Sequence, residues 1–184
     1  MLNGLNLFSE DAEINTSAII DFDETLMPLA VDWEGLRKYL NVSRLGDLWD
    51  RSHPLFEWEP VRQHEIEAAE TSPFINHTLE VLKSVTSFAV LTNNSEQAVA
   101  TALARLPEIE KKVSLIVGRE TLKGPKQKRS NFDHGFKNAL DSLSTIGKST
   151  YYLGDQDYEL NFAKDLGAIP IRVLPDRLSF HNGQ

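Results

Sequence analysis

Short runs of β-forming residues alternate with segments of helical pattern along most of this 184-residue chain. The β-forming runs are Ser17–Asp21, Ser87–Thr92, Val113–Gly118, Thr150–Gly154 and Ile169–Leu174. Helical patterns occupy the later intervals, at Ser95–Leu106, Asn131–Ile146 and Asp157–Leu166. This alternation is typical of a parallel sheet covered by helices. We therefore predict an α/β fold, a three-layer sandwich around a mainly parallel sheet built from these five strands.

One connection breaks the alternation. The stretch between the first and second strands, residues 26–86, contains all three tryptophans and is far longer than the dozen or so residues that a crossover needs. The helices predicted within it are Trp33–Leu40, Arg44–Arg51, Pro60–Glu70 and Ile75–Ser84. We expect the last helix to return the chain to the sheet. The rest predicts a small helical cap over residues 29–77, inserted after the first strand of a core made of residues 1–28 and 78–184.

Composition excludes several classes of protein. The absence of cysteine excludes a disulfide scaffold, a thiolate metal site, an iron–sulfur cluster and a cysteine nucleophile. The net charge of −8 argues against nucleic acid or an anionic membrane as a partner. No segment approaches the roughly 20 apolar residues of a membrane-spanning helix, and the first residues lack the basic start and apolar run of a signal peptide. We expect a cytoplasmic protein.

Two carboxylates stand at the end of the first predicted strand, Asp21 and Asp23. Residues two apart in an extended chain point the same way, so these side chains project together. In open α/β sheets, ligands bind beyond the carboxyl ends of the strands. Such a pair would repel unless a cation or a shared proton compensated it. An acidic turn without further function is the alternative explanation.

Polar residues also follow the other predicted strands. Thr92 and Asn93 end the second strand and are neutral groups suited to phosphate oxygens. A second acidic cluster follows the fourth strand and consists of Asp155, Asp157 and Glu159. Oxygen ligands without cysteine or a histidine cluster favour Mg²⁺ over zinc. The basic run at residues 123–129 lies where an anionic group would need neutralising. In this order, the groups predict a site for a metal ion and a phosphate.

From about Ser17 to Leu174, the chain resembles the haloacid dehalogenase superfamily in its phosphatase branch. The family pattern is strand-Asp-x-Asp-x-Thr, strand-Thr/Ser, a lysine, and strand-Gly-Asp-x-x-x-Asp/Glu. The segments that carry the resemblance are "IIDFDETL" and "YYLGDQDYELNFAKDLGAIPIRV". The segment "VDWEGLRKYLNV" is similar to the opening of the cap in small-cap members. The resemblance implies a Rossmann-like core with a small cap over the active site.

The resemblance also implies roles for individual residues. Asp21 would attack phosphorus and form an aspartyl-phosphate, and Asp23 would be the general acid and base. Thr25 would contribute through its position and hydrogen bonding in the substrate-binding region. Thr92 and the backbone near Asn93 would bind phosphoryl oxygens.

The ligands implied for Mg²⁺ are Asp21, the backbone carbonyl of Asp23, Asp155 and Glu159. Asp157 is closer to Asp155 in sequence and could compete with Glu159, which the family spacing favours. The resemblance also implies a lysine that neutralises the nucleophile and the phosphoryl group. Lys126 fits the family's usual spacing to the next helix, and Lys123 is the alternative.

The resemblance implies a Mg²⁺-dependent phosphatase that acts on a small phosphorylated metabolite, as a monomer or homodimer. Enzymes of this superfamily that remove halide from carbon lack the second aspartate, so Asp23 argues against dehalogenation. Sugar phosphomutases keep both aspartates and remain an alternative, although their caps are usually larger. A phosphate- or metal-binding member without turnover is a further alternative.

Overall fold

The computed structural model describes residues 16–50, 58–143, 149–175 and 177–180. Its strands are β1 (Thr16–Ile20), β2 (Ser87–Leu91), β3 (Val113–Val117), β4 (Ser149–Gly154), β5 (Ile169–Leu174) and β6 (Arg177–Phe180). They form one sheet in the order β3-β2-β1-β4-β5-β6. Every pairing from β1 to β5 is parallel, and β6 is antiparallel to β5. The predicted α/β fold with a mainly parallel sheet is confirmed.

The sheet has a sixth strand that the sequence did not predict. Strand β6 is only four residues long and pairs with β5 in a hairpin, with Val173 opposite Leu178. Leu178 is its one buried residue, so the segment has too little apolar alternation to predict a strand. Pairing with β5 supplies the hydrogen bonds that stabilise it.

The helices are α1 (Trp33–Leu40), α2 (Glu59–Thr71), α3 (Asn76–Ser84), α4 (Glu96–Ala104), α5 (Pro107–Glu110), α6 (Arg129–Ser142) and α7 (Asp157–Asp165). A 3₁₀ helix over Leu45–Asp50 stands where a helix was predicted at Arg44–Arg51, whose last residue lies outside the described part of the chain. The predicted end of α6 at residues 144–146 also lies outside it. The short helix α5 was not predicted because a single turn leaves little periodic signal. Among the described residues, no helix has the length and apolarity needed to cross a bilayer.

Alternate residues of each central strand face opposite sides of the sheet. In β1, Ala18 and Ile20 contribute to one hydrophobic cluster and Ile19 to the other. The first cluster includes side chains of α2, α3, α4 and α5, and the second includes side chains of α6 and α7. This period of two, with helices on both faces, produces the three layers.

The insert has a small hydrophobic cluster of its own, formed by Leu36, Leu48, Trp58 and Val61. Helix α2 joins this cluster to the core, because Val61 lies in the insert cluster while Ala68 and Ala69 pack in the first core cluster. The cap boundaries at residues 29 and 77 stay a prediction.

The strand order places the ends of β1, β2 and β4 side by side. From β1 the chain builds β2 and β3 on one side, and it then crosses to form β4 and β5 on the other side of β1. This reversal opens a crevice beyond the carboxyl ends of the strands. The residues that follow these strands, Asp21, Thr92 and Asp155, are thereby brought to one crevice.

The aromatic packing beneath α6 provides a test of the fold. Phe132 is fully buried, with its ring 5.5 Å from that of Tyr152 and 5.4 Å from that of Phe162. We expect Phe132→Ala to lower the free energy of unfolding by about 3–5 kcal/mol, because it removes buried surface and leaves a cavity. Tyr39 is 76% exposed, so Tyr39→Ala should change it by less than about 0.5 kcal/mol. Urea unfolding measures the free energy of unfolding of both variants. Equal losses of stability would contradict the burial of Phe132 among these aromatic rings.

Candidate active site

A tight turn after β1 holds the Asp-x-Asp pair at the edge of the sheet. The Asp21 N–H donates to the Leu153 carbonyl of β4 at 2.9 Å, and Asp21 Oδ1 accepts the Phe22 N–H at 2.7 Å. Glu24 has a positive φ of 58°, which reverses the chain. The Phe22 carbonyl accepts hydrogen bonds from the N–H groups of Thr25, Leu26 and Met27. The turn fixes the direction in which both aspartates leave the strand.

Asp23 is partly buried and lies near other carboxylates. Burial raises the pKa of Asp23 to about 7, and the negative charges of Asp21 and Glu24 also raise it. A hydrogen bond from the Leu29 N–H at 2.9 Å lowers the pKa but does not outweigh these effects. A carboxyl group with this pKa can give or take a proton near neutral pH.

Lys126 is buried between two carboxylates. Its Nζ lies 2.6 Å from Asp21 Oδ1 and 2.7 Å from Glu159 Oε2, and its side chain is only 3% exposed. Burial lowers the pKa of Lys126, but the charges of Asp21 and Glu159 outweigh burial and hold the pKa above its ordinary value. Lys123 is exposed to solvent. The structure therefore places Lys126, and not Lys123, beside Asp21.

Glu159 reaches the same point from the first turn of α7. A Cβ on Gly154 would lie 3.2 Å from Glu159 Cδ, so the glycine at the end of β4 gives this side chain its room. Glu159 Oε2 accepts hydrogen bonds from Lys126 and from the Tyr152 hydroxyl, whereas Oε1 is buried and has no partner among the residues that the structure describes. Asp157 is exposed and forms an ion pair with Arg172. The structure thus places Glu159, and not Asp157, in the acidic cluster.

Asp21, Asp155 and Glu159 each offer a carboxylate oxygen, and the three oxygens lie within 4.8 Å of one another. Burial raises the pKa of Asp155, and the charge of Asp21 adds to this. Burial also raises the pKa of Glu159 to about 7, against the opposing charge of Lys126. A hard divalent cation such as Mg²⁺ suits an all-oxygen set, and Glu159 Oε1, which has no hydrogen-bond partner among the described residues, is free to serve as the ligand atom of that side chain. These residues fit a metal ion, while the Asp23 carbonyl as a ligand stays a prediction.

Thr92 and Asn93 follow β2 and face the same crevice. The Thr92 hydroxyl is buried and donates to Asn94 Oδ1 at 2.8 Å. Asn93 Oδ1 accepts the Lys126 N–H at 2.9 Å, so the Asn93 side chain holds the lysine loop. The backbone N–H of Asn93 donates to no acceptor among the residues that the structure describes. This free donor, and not the Asn93 side chain, is available to an anion.

A cavity of about 470 Å³ joins these groups to the insert. Its lining includes the predicted residues Asp21, Asp23, Thr92, Asn93, Lys126 and Asp155. Glu159 lies beneath the lining. Thr25 is fully buried and does not line the cavity, and its carbonyl accepts the Thr78 hydroxyl at 2.7 Å.

Among the lining residues that were missed from the sequence, Glu65, Asn94 and Arg119 form hydrogen bonds with one another or with the loop after β2. Arg119 comes two residues after β3, so the same argument from strand ends could have found it. Asn94 follows Asn93 directly and could have been found with it. No sequence signal separates Glu65 from the other acidic residues of α2, because nothing local indicates that it is buried.

The sequence matches the model of the haloacid dehalogenase-like hydrolase family over residues 35–173. The matched stretch contains Thr92, Lys126, Asp155 and Glu159, whereas the Asp-x-Asp pair precedes it. No curated protein sequence matches the chain.

Several solved structures share the fold. A protein provisionally named phosphoglycolate phosphatase from Lactobacillus plantarum superposes with a TM-score of 0.60 at 11% identity, covering 87% of this chain and 86% of that one. A provisionally named haloacid dehalogenase-like hydrolase from Bacteroides fragilis gives 0.58 at 17% identity, with coverage of 85% and 86%. A provisionally named β-phosphoglucomutase from Thermotoga maritima gives 0.55 at 16% identity, with coverage of 92% and 88%. At these identities the similarity establishes the fold alone.

The two lysines provide a test of the site's electrostatics. Lys126→Gln would leave Asp21 and Glu159 buried without a counter-charge, and we expect it to lower the free energy of unfolding by about 3–5 kcal/mol. Lys123→Gln removes an exposed charge and should change the stability by less than about 0.5 kcal/mol. Denaturant unfolding in buffer containing a chelator measures both. A Lys126→Gln protein as stable as the wild type would contradict the buried ion pairs.

Proposed function

Because this chain belongs to the haloacid dehalogenase-like hydrolase family, we propose that it is a Mg²⁺-dependent phosphatase acting on a small phosphate monoester. The observation that carries the proposal is the position of Asp21, at the end of β1 with Lys126 Nζ 2.6 Å from its Oδ1. A carboxylate held in this way is oriented for attack, and a buried cation beside it accommodates the charge of a phosphoryl group.

The first step uses Asp21 as the nucleophile. Its Oδ1 is engaged by Lys126 and by the Phe22 N–H, while Oδ2 accepts no hydrogen bond from the described residues. One carboxylate oxygen of Asp21 forms a bond to phosphorus as the ester bond breaks. Asp23 gives its proton to the leaving oxygen, which departs as an alcohol. The product on the protein is an aspartyl-phosphate.

The second step uses Asp23 in the opposite direction. Asp23 takes a proton from a water molecule, whose oxygen attacks phosphorus and releases inorganic phosphate from Asp21. The hydrogen bond from the Leu29 N–H holds the Asp23 carboxyl group in place for both transfers. The burial that raises the pKa of Asp23 supports this double role.

Charge balance supports binding of an anionic substrate in an acidic crevice. Asp21, Asp155 and Glu159 would hold the metal, and Lys126 lies against two of them. When bound, Mg²⁺ would reduce repulsion between Asp21 and the substrate and stabilise the charge of the transferring phosphoryl group. The Asn93 N–H supplies a donor for a phosphoryl oxygen. The Lys126 ammonium supplies positive charge, because its three donors face Asp21, Glu159 and the Leu91 carbonyl.

The cavity suits a small phosphorylated metabolite. Its far side is lined by residues of the insert, including Trp33, Arg37 and Trp49, which would contact the organic part of the substrate. Cytoplasmic location and a monomeric or homodimeric state accompany this proposal as predictions.

The proposal is tested by measuring phosphate release from a panel of phosphorylated sugars, nucleotides, glycolate and amino acids, with Mg²⁺ or with chelator. We expect release that requires Mg²⁺. A protein inert over the panel, under conditions in which a related phosphatase is active, would contradict the proposal. Isomerisation of a sugar phosphate without phosphate release would indicate a phosphomutase instead. Persistent phosphorylation of Asp21 without turnover would indicate a binding protein.

Asp21→Asn tests the nucleophile. The amide is a poor nucleophile, so we expect turnover to fall by about 10³-fold or more with the fold unchanged. Asp141→Asn is the matched control, since Asp141 is exposed on α6 and does not line the cavity. Steady-state kinetics and circular dichroism measure the two properties. An Asp21→Asn protein that retained a substantial fraction of activity would exclude Asp21 as the nucleophile.

Asp155→Ala tests the metal site. Loss of one carboxylate ligand should raise the Mg²⁺ concentration for half-maximal activity by about 10-fold or more, with Asp141→Asn again as the control. Activity is measured across a Mg²⁺ titration. An unchanged titration would contradict the assignment of Asp155 as a ligand.

A further inference from the structure

A second buried ion pair lies against the loop that follows β2. Glu65 of helix α2 is 2% exposed, and its Oε1 accepts hydrogen bonds from Asn94 Nδ2 at 3.0 Å and from Arg119 Nη2. Its Oε2 accepts the Ser95 N–H at 3.0 Å. Both carboxylate oxygens of Glu65, a residue of the insert, are therefore hydrogen-bonded, one to Asn94 and Arg119 and the other to the Ser95 N–H.

Arg119 completes the arrangement from the end of β3. Its Nε donates to the Asn93 carbonyl at 3.1 Å, and its backbone N–H donates to the Asn94 carbonyl at 2.9 Å. A Cβ on Gly118 would lie 2.9 Å from the Asn94 carbonyl oxygen, so the glycine permits this close approach. The Trp58 ring covers the guanidinium, and Arg119 Cζ lies 4.0 Å from the centroid of that ring. Arg119 also neutralises Glu65, so the buried carboxylate does not repel an anion in the cavity.

The polarity of Glu65 determines the orientation of its neighbours. An ionised carboxylate only accepts hydrogen bonds, so the Asn94 amide must direct Nδ2 toward Glu65 and Oδ1 toward Thr92. Asn94 Oδ1 then receives the Thr92 hydroxyl at 2.8 Å, and the Asn94 N–H donates back to Thr92 Oγ1 at 3.1 Å. With the Asn93 carbonyl held by Arg119, the Asn93 N–H remains free of acceptors among the described residues.

We propose that Glu65 and Arg119 are a positioning pair that fixes the loop Thr92–Ser95 in its phosphoryl-binding conformation. The insert then sets the affinity of the core for phosphoryl groups through Glu65, in addition to lining the cavity. The inference rests on the proposed function, because it assigns to this loop the binding of phosphoryl oxygens. Both residues line the cavity, but their side-chain hydrogen bonds within the described part of the chain are to each other and to the loop, and none is to Asp21, Asp23 or Lys126. Their effect is on binding through the Asn93 N–H, because the Thr92 hydroxyl already donates to Asn94 Oδ1.

The test measures binding of inorganic phosphate and of Mg²⁺ by calorimetry, using Mg²⁺-loaded protein for the phosphate titrations. Glu65→Gln offers one acceptor oxygen where Glu65 uses two, so we expect the phosphate Kd to rise about 10-fold or more. The Mg²⁺ Kd should stay within about twofold, because the metal ligands are not contacted by Glu65. Glu67→Gln is the matched control on the same helix, where Glu67 is exposed, and should leave both constants unchanged.

A second variant covers the case in which Glu65→Gln does not fold. Asn94→Ala keeps the buried Glu65–Arg119 pair but removes the side chain that ties the loop to Glu65. The loop then holds the Asn93 N–H less firmly, so phosphate binding should weaken at unchanged Mg²⁺ affinity. Phosphate affinity within about twofold of the wild type in the folded variants would overturn the inference, and so would a parallel loss of both affinities. If the wild type itself turned over esters and bound phosphate, such a result would leave the proposed function standing. A wild type that neither bound phosphate nor hydrolysed any ester would overturn both.

Discussion

The ammonium group of Lys126, buried between Asp21 and Glu159, is the interaction on which the site depends. Removing such a group from water costs several kcal/mol, and the two carboxylates must be close and well oriented to offset that cost. The fold supplies this geometry from three directions. Asp21 directly follows strand β1, Glu159 lies in the first turn of helix α7 in the space left by Gly154, and the Asn93 side chain holds the Lys126 backbone. A nucleophile, a cation and metal ligands are thereby packed into one crevice.

The Glu65–Arg119 pair is a second buried ion pair, on the other side of the loop after β2. The two buried ion pairs flank this loop, one through the Asn93 side chain and the other through the Asn93 carbonyl and Asn94. Neighbouring buried charges of this kind are tolerated only when each is compensated, which restricts how the loop can move. The insert thus contributes to the architecture of the core through one acidic side chain, as well as lining the cavity.

Much of the fold follows from local pattern. The alternation of strands and helices predicted β1 to β5 within one residue at each end, and helix α1 with its observed bounds. The misses share a physical cause. Strand β6, helix α5 and the 3₁₀ helix are short segments whose conformation depends on neighbours rather than on an apolar period. Asp21, Thr92 and Asp155 were identified because they follow strands that meet at one edge of a parallel sheet.

The sequence by itself determined which residue types follow each strand, and therefore that oxygen ligands, a lysine and hydroxyl or amide groups would meet in one crevice. Only the tertiary structure decided which members of each group meet there. Lys126 rather than Lys123, and Glu159 rather than Asp157, are buried beside Asp21. The pairing of Glu65 with Arg119 joins residues 54 positions apart. The physical reason is that burial and charge pairing arise between distant segments, whereas periodicity and strand ends are properties of neighbouring residues.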